Sequence, residues 1–379
     1  MTRLTARHPR VSPSLRYSAG LLATALVAAA CSTSAPDDTP DEQDTADDDS
    51  SSGPPEKSGE AQPVTVAFGG DVHFEGELRQ RLDSDPTSAL SPVGDAFSDA
   101  DIAMVNLETA VTEGGTPAPD KQFRFRAPAS AFDALDAANA DLATVANNHG
   151  MDYGADGLRD TLDNAEDAGF PVVGAGESAE EAYSPHVVET NGTSVAFIGA
   201  TDVLNTNLID AWTAKEDSAG LASAKGEQRQ RLVSAVSSAA EEADHVVTYL
   251  HWGAEGDHCP RQHAPGLARE LVGAGADAVV GGHAHVLSPG GYIDDSYVHY
   301  GLGNFAFYNY QGPTAESGVL TLTLDQGEVT GDSWQPARIE GGVPRPYEGA
   351  AAEDARTEWR NLGAGCSAEL FDPSAEQAG

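Results

Sequence analysis

The chain is poor in cations, in cysteine and in long apolar runs. Of its 379 residues, 21 are Lys or Arg against 60 Asp or Glu, and three are Cys. A formal charge of −39 leaves no basic stripe, and phosphate backbones are gripped by clustered Lys and Arg, so nucleic acid is excluded as a partner. The apolar run SAGLLATALVAAA, residues 18–30, falls short of the roughly 20 residues that a bilayer span needs. No internal repeat at solenoid periods occurs, which excludes a stacked-repeat architecture.

What is present begins with that run. Arg3, Arg7, Arg10 and Arg16 precede or border it without any acid, and small residues close it, the pattern of a secretory signal. It ends at Cys31 after three alanines, which resembles a bacterial lipobox with Ala28 where leucine is preferred. Residues 1–31 therefore read as a lipoprotein-type signal with Cys31 lipidated, anchoring the protein to the outer face of the cell membrane. Ordinary cleavage and secretion is the alternative. Residues 32–62 hold ten acids, one lysine and no large apolar side chain. Such a stretch cannot offset its ordering entropy by burial and should form a disordered, extended acidic linker. In an exported protein, Cys259 and Cys366 remain to pair as a disulfide, two separate buried thiols being the alternative.

Residues 63–350 are expected to form the domain, and 351–379 a C-terminal helix and tail fastened through Cys366. The first strand, VTVAFGGDVH, is followed by helical material to about residue 99 and a second strand, DIAMVNLE. KQFRFRAP is short and alternating, and Pro128 opens a helix. DLATVANNHG, a helix over 155–168 and FPVVGAG continue the β-α-β order. HVVETNGTSVAFIGA predicts a hairpin turning at Asn191-Gly192. Helices over 226–243 and 263–273 lead to the strands DHVVTYLHWG and DAVVGGHAHV, after which the chain turns to β structure. Strands that are apolar rather than alternating predict an α/β domain of two packed β-sheets flanked by helices.

The strand endings share a chemistry. They read Asp71-Val72-His73, Asn106-Leu107-Glu108, Asn147-Asn148-His149, His251-Trp252-Gly253 and His283-Ala284-His285. Ligands of open α/β sheets bind at the C-terminal ends of strands, so five such endings converge on one crevice. Asp71, His73, Glu108, Asn148, His251, His283 and His285 exceed the needs of one tetrahedral zinc. They suit two divalent ions (Mn, Fe, Zn or Mg) bridged by a shared carboxylate. Taken singly, Asp71 or His73 is a turn or capping residue, and His251 a packed interior histidine; the ordered set carries the reading. Arg124 and Arg126 alternate with aromatics as candidate substrate-binding forks, a charged strand edge being the alternative.

The ordered motifs GDVHFEG, VNLET, FRFRAP, ANNHGMDYG, LHWGAE, GGHAHV and YGLGNFAF span about residues 64–307. They resemble the CapA capsule-synthesis family of the calcineurin-like metallophosphoesterase superfamily. The resemblance implies a four-layer α/β/β/α metallophosphatase-like sandwich and a metal-dependent hydrolase. Asp71, His73 and His285 would hold one ion, and Asn148, His251 and His283 the other. Glu108 would bridge them, standing where the superfamily has aspartate. His149 would be catalytic, protonating a leaving group. The implied partner is a poly-γ-glutamate-like anionic polymer or its phosphorylated precursor, with membrane synthase subunits beside it. The alternative is a non-catalytic, metal-containing assembly subunit of such a synthase.

Overall fold

The computed structural model describes residues 62–91 and 93–366. The expected signal, Cys31, the acidic linker and the tail beyond Cys366 lie outside the described residues.

Alternation along the strands sets the layering. Val64, Val66 and Phe68 of the strand Val64–Val72 point to one side, with Ile102 and Met104 of Ile102–Leu107. They meet Val195 and Phe197 of Thr193–Thr201 and Val247 and Tyr249 of His245–His251 across a shared core. The intervening Ala67, Ala103 and Val105 face the other way, onto Leu78, Leu82, Phe132, Leu135 and Leu158 of covering helices. In the second sheet Ala196, Ile198, Val246 and Leu250 pack on Leu232 and Val236 of the helix Gln228–Glu242 and on Leu267 and Leu271 of Ala264–Gly273. The central strands of both sheets are buried on both faces, which is why they read as apolar runs. Each fully buried Phe or Leu contributes roughly 1.5–3 kcal/mol relative to exposure. The result is helix, sheet, sheet, helix, the architecture expected from the sequence.

The first sheet has eight strands. Its path runs Val343–Pro346, Glu328–Glu340, Glu316–Asp325, Val64–Val72, Ile102–Leu107, Leu142–Thr144 and Val172–Val173, with Asn304–Ala306 also paired to Val64–Val72. The second has six, ordered Gly290–Ile293, Ser296–His299, Ala278–Gly282, His245–His251, Thr193–Thr201 and His186–Thr190. The central strands of each are parallel, so their C-terminal ends lie along one edge.

The hairpin turns where expected: Asn191 and Gly192 both take left-handed φ, 54° and 77°, as a two-residue type I′ turn requires. The helix Gly154–Ala168 stops at Gly169 in the same conformation. FPVVGAG is not one strand. Gly174, at φ 86°, breaks it into Val172–Val173 and Ala175–Gly176, the second pairing antiparallel with Gly220–Leu221. Of KQFRFRAP only Arg126–Ala127 is extended, against Ala110–Val111. The helix Gly349–Arg360 lays Trp359 flat between Trp334 and His299, at 5.2 and 5.5 Å. Beyond it Cys366 is disulfide-bonded to Cys259, 107 residues earlier.

Candidate metal centre

The two sheets touch at the ends of their parallel strands. Asp71 lies in register with Asn106 on one side and Asn304 on the other. From the second sheet Gly282 comes so close that a Cβ there would stand 2.5 Å from Asp71 Oδ1, which leaves glycine as the residue that fits. The chain then bends through His283 at φ 90° and His285 at φ 57°. Such conformations cost non-glycine residues on the order of 1–3 kcal/mol and persist where the surroundings impose them.

Asp71 is fully buried and collects donors: Asn106 Nδ2 at 2.8 Å and the His283 backbone N–H at 3.0 Å, with His285 Nδ1 3.3 Å away. His285 Nδ1 also donates to Asn304 Oδ1 at 2.9 Å, which leaves its other ring nitrogen for a ligand role. Asn106 Nδ2 is 3.1 Å from His251 Nδ1, so His251 turns Nε2 toward Asn148 Oδ1 at 2.7 Å.

Glu108 is the anomaly. It is fully buried, and neither of its oxygens accepts a hydrogen bond from any described residue. His251 Nε2 approaches to 3.4 Å, but it is aimed at Asn148, so the contact is an ion-pair distance only. His283 Nδ1 is likewise buried without a partner. A buried carboxylate without hydrogen bonds costs several kcal/mol unless nearby charges offset it. Two triads share this carboxylate: Asp71, Glu108 and His285, and Glu108, His251 and His283, with the ligand atoms of each within 4.8 Å of one another. Carboxylate and imidazole donors around one shared oxygen pair are what divalent first-row ions take.

The charges agree with a cation site. Burial pushes the Glu108 carboxyl up, yet the neighbouring His285, His251 and His149 hold it well below the usual range. Burial keeps His283 well below the ordinary imidazole value, hence neutral. Burial also pushes His285 down, but Glu108 and Asp71 carry it to about 9. His285 is therefore protonated near neutrality in metal-free protein, and an entering ion must expel that proton. Metal affinity should rise about tenfold per pH unit from 7 to about 9 and then level off. Calorimetric titration across that range checks this; a flat profile would remove His285 from the ligand set.

Not every expected residue joins the cluster. His73 Nδ1 accepts from the Glu75 backbone N–H at 3.0 Å and Nε2 faces that of Tyr308 at 3.2 Å. Its ring packs among Phe125, Phe307 and Tyr308, and burial lowers it to about 3. It belongs to neither triad. Asn148 points its amide oxygen at His251, beside the second triad. His149 stacks on Phe125 at 4.0 Å, with Nε2 4.0 Å from Glu108 Oε1 and Nδ1 2.6 Å from Asp152 Oδ2.

Arg124 and Arg126 turn away to the loop backbone. Arg124 Nε donates to the Ala118 carbonyl and Arg126 Nη2 to that of Gly114, each at 2.7 Å, and Arg126 covers the Tyr153 ring. The cation at the site is Lys121, which bonds Asp152 and the Asn148 carbonyl and lies 3.1 Å from His149 Nδ1. Lys121, Asp152 and Asn304 were not singled out from the sequence, and Asn106 only as part of a strand ending. Only Asp152 carried a local signal, three residues after His149 within one turn.

The sequence matches the family described as bacterial capsule synthesis protein PGA_cap over residues 65–309, a span that includes every triad residue. It is similar to the PGA biosynthesis protein CapA of Bacillus subtilis (strain 168), 29% identical over 290 residues, 75% of this chain and 74% of that one. It is similar also to the capsule biosynthesis protein CapA of Bacillus anthracis, 29% identical over 301 residues, 78% of this chain and 72% of that one. Among solved structures, a hypothetical protein from Thermus thermophilus is similar at 18% identity and a TM-score of 0.46, over 73% of this chain and 100% of that one.

Proposed function

This chain belongs to the bacterial capsule synthesis protein family PGA_cap, and on that premise we propose that it is an exported, metal-dependent hydrolase of a capsule-type anionic polymer. A poly-γ-glutamate chain or its phosphorylated precursor is the substrate class the reading favours. The observation that carries it is Glu108, buried, unpartnered and common to two ligand triads. Asp71, Glu108 and His285 would hold one ion, and Glu108, His251 and His283 the other, with Asn148 beside the second. Such ions, when bound, supply Lewis-acid polarisation and an acidified water.

The chain's own groups do the rest. Asp152 fixes the Nδ1 side of His149 and leaves Nε2 facing Glu108, the position from which an imidazole can hand a proton to a leaving group. Lys121 bonds Asp152 and the Asn148 carbonyl, so one cation steadies the acid and a ligand together. A net charge of −39 opposes an anionic substrate at long range, so attraction must be local to this cleft. The Cys259–Cys366 disulfide supports an oxidising compartment, as does the basic and apolar start before Cys31. Anchoring through Cys31 is the form of export favoured here, secretion the other.

The word biosynthesis in both relatives' names favours a second reading, a non-catalytic metal-containing subunit that grips polymer for a membrane synthase. Metal analysis of the purified protein, followed by a panel of phosphoesters and poly-γ-glutamate after Mn or Zn loading, separates the two. The hydrolase reading expects bound divalent ion and chelator-sensitive cleavage of a panel member. Bound metal without any cleavage would leave the assembly role.

A further inference from the structure

The loop that follows the strand His245–His251 brings a further carboxylate to the imidazoles. Glu255 is exposed, yet one of its oxygens and a ring nitrogen each of His283 and His285 all lie within 4.8 Å of one another. The loop is held so that this approach is built in. The Gly256 N–H donates to the Ala284 carbonyl at 2.8 Å, directly between the two histidines in sequence. Arg261 Nε donates to the Gly253 carbonyl at 2.7 Å, fixing the other side of Glu255. Gly253 and Gly256 take φ 98° and 73°, the left-handed turns that aim the segment back at the site. His283 Nδ1 is buried and unpartnered, so this imidazole has a nitrogen to spare.

Glu108 and Glu255 thus flank the same pair of histidines, but in opposite surroundings. Glu108 is sealed from solvent, whereas Glu255 is open to it. A sealed ligand cannot be exchanged without opening the core. An exposed one gives way to any anion that reaches the ion from solvent.

We propose that Glu255 is an exchangeable, solvent-side ligand of the metal centre, holding an ion with His283 or His285 until an anionic group displaces it. This rests on the metal-binding reading of the site and names how the site is closed at rest. The carboxylate also contributes to the raised basicity of His285, in keeping with its nearness.

Glu255→Gln keeps the shape and removes the ligand charge, and calorimetric titration with Mn of metal-free wild type and variant reads the effect. Metal affinity is expected to fall about tenfold. Inorganic phosphate titrated into the Mn-loaded proteins should bind several-fold more tightly to the variant, because it no longer competes with a resident carboxylate. Glu166→Gln, on the exposed side of the helix Gly154–Ala168, removes the same charge elsewhere and should change neither. Equal Mn affinity in wild type and Glu255→Gln overturns the ligand assignment while leaving the triads intact. Phosphate bound no more tightly by the variant overturns the displacement. A wild type that takes up no divalent ion removes the metal reading itself, and this inference with it.

Discussion

Glu108→Gln is expected to lower metal affinity at least about 100-fold, since each triad loses its shared charged oxygen and outer-sphere changes alone cost 10–100-fold. The same substitution should lower the stability of the metal-free protein near neutral pH, because His285, His251 and His149 favour the ionised carboxylate and its loss leaves His285 short of a counter-charge. Removing one partner of a buried charge pair costs roughly 3–5 kcal/mol, and Gln keeps the shape but restores none of the charge. Elemental analysis and thermal unfolding in chelator read both halves. A variant with wild-type metal content, or one that melts no lower without metal, would contradict the role given to this residue.

His149→Ala should separate chemistry from binding. A positioned general acid contributes roughly 10²–10⁴-fold, so turnover of whichever substrate responds should fall by that much while metal content stays at the wild-type level. The histidine stands 4.0 Å from Glu108, outside both triads, and its other nitrogen is taken by Asp152. Asp152→Asn should give a milder loss, because the imidazole remains but its orientation and charge support weaken. Unaltered turnover in His149→Ala would dismiss the proton-donor role and strengthen the assembly reading.

Much of this was legible in the sequence because it depended on strand ends. Glycine beside Asp, Glu, Asn or His after an apolar run marks a place where a parallel strand stops, and topology brings such places together. The structure gathers Asp71, Glu108, His251, His283 and His285 in that way. The histidine of Asp-Val-His could not be sorted by the same rule. His73 follows Asp71 at strand spacing, but its nitrogens meet the backbone of Glu75 and Tyr308, the latter 235 residues away. Arg124 and Arg126 looked like anion forks because their charge was visible and the carbonyls of Ala118 and Gly114 awaiting them were not. Lys121 escaped notice for the converse reason. An isolated lysine in a polar loop has no pattern, and its place beside Asp152 and His149 exists only once that loop folds over the cleft.

The two halves of the ligand set come from different sheets. Asp71, Glu108 and Asn148 follow strands of the eight-stranded sheet, whereas His251, His283 and His285 close strands of the six-stranded one. Each triad that shares Glu108 draws on both sheets. An ion at this seam would act as a rivet, and its loss would be felt as slippage between layers rather than as a hole in either. Mass action would then tie the folding stability of the sandwich to free metal in the surroundings, by roughly 2.7 kcal/mol at a hundred times the dissociation constant. A protein so built would be firm where metal is plentiful and loose where it is scarce.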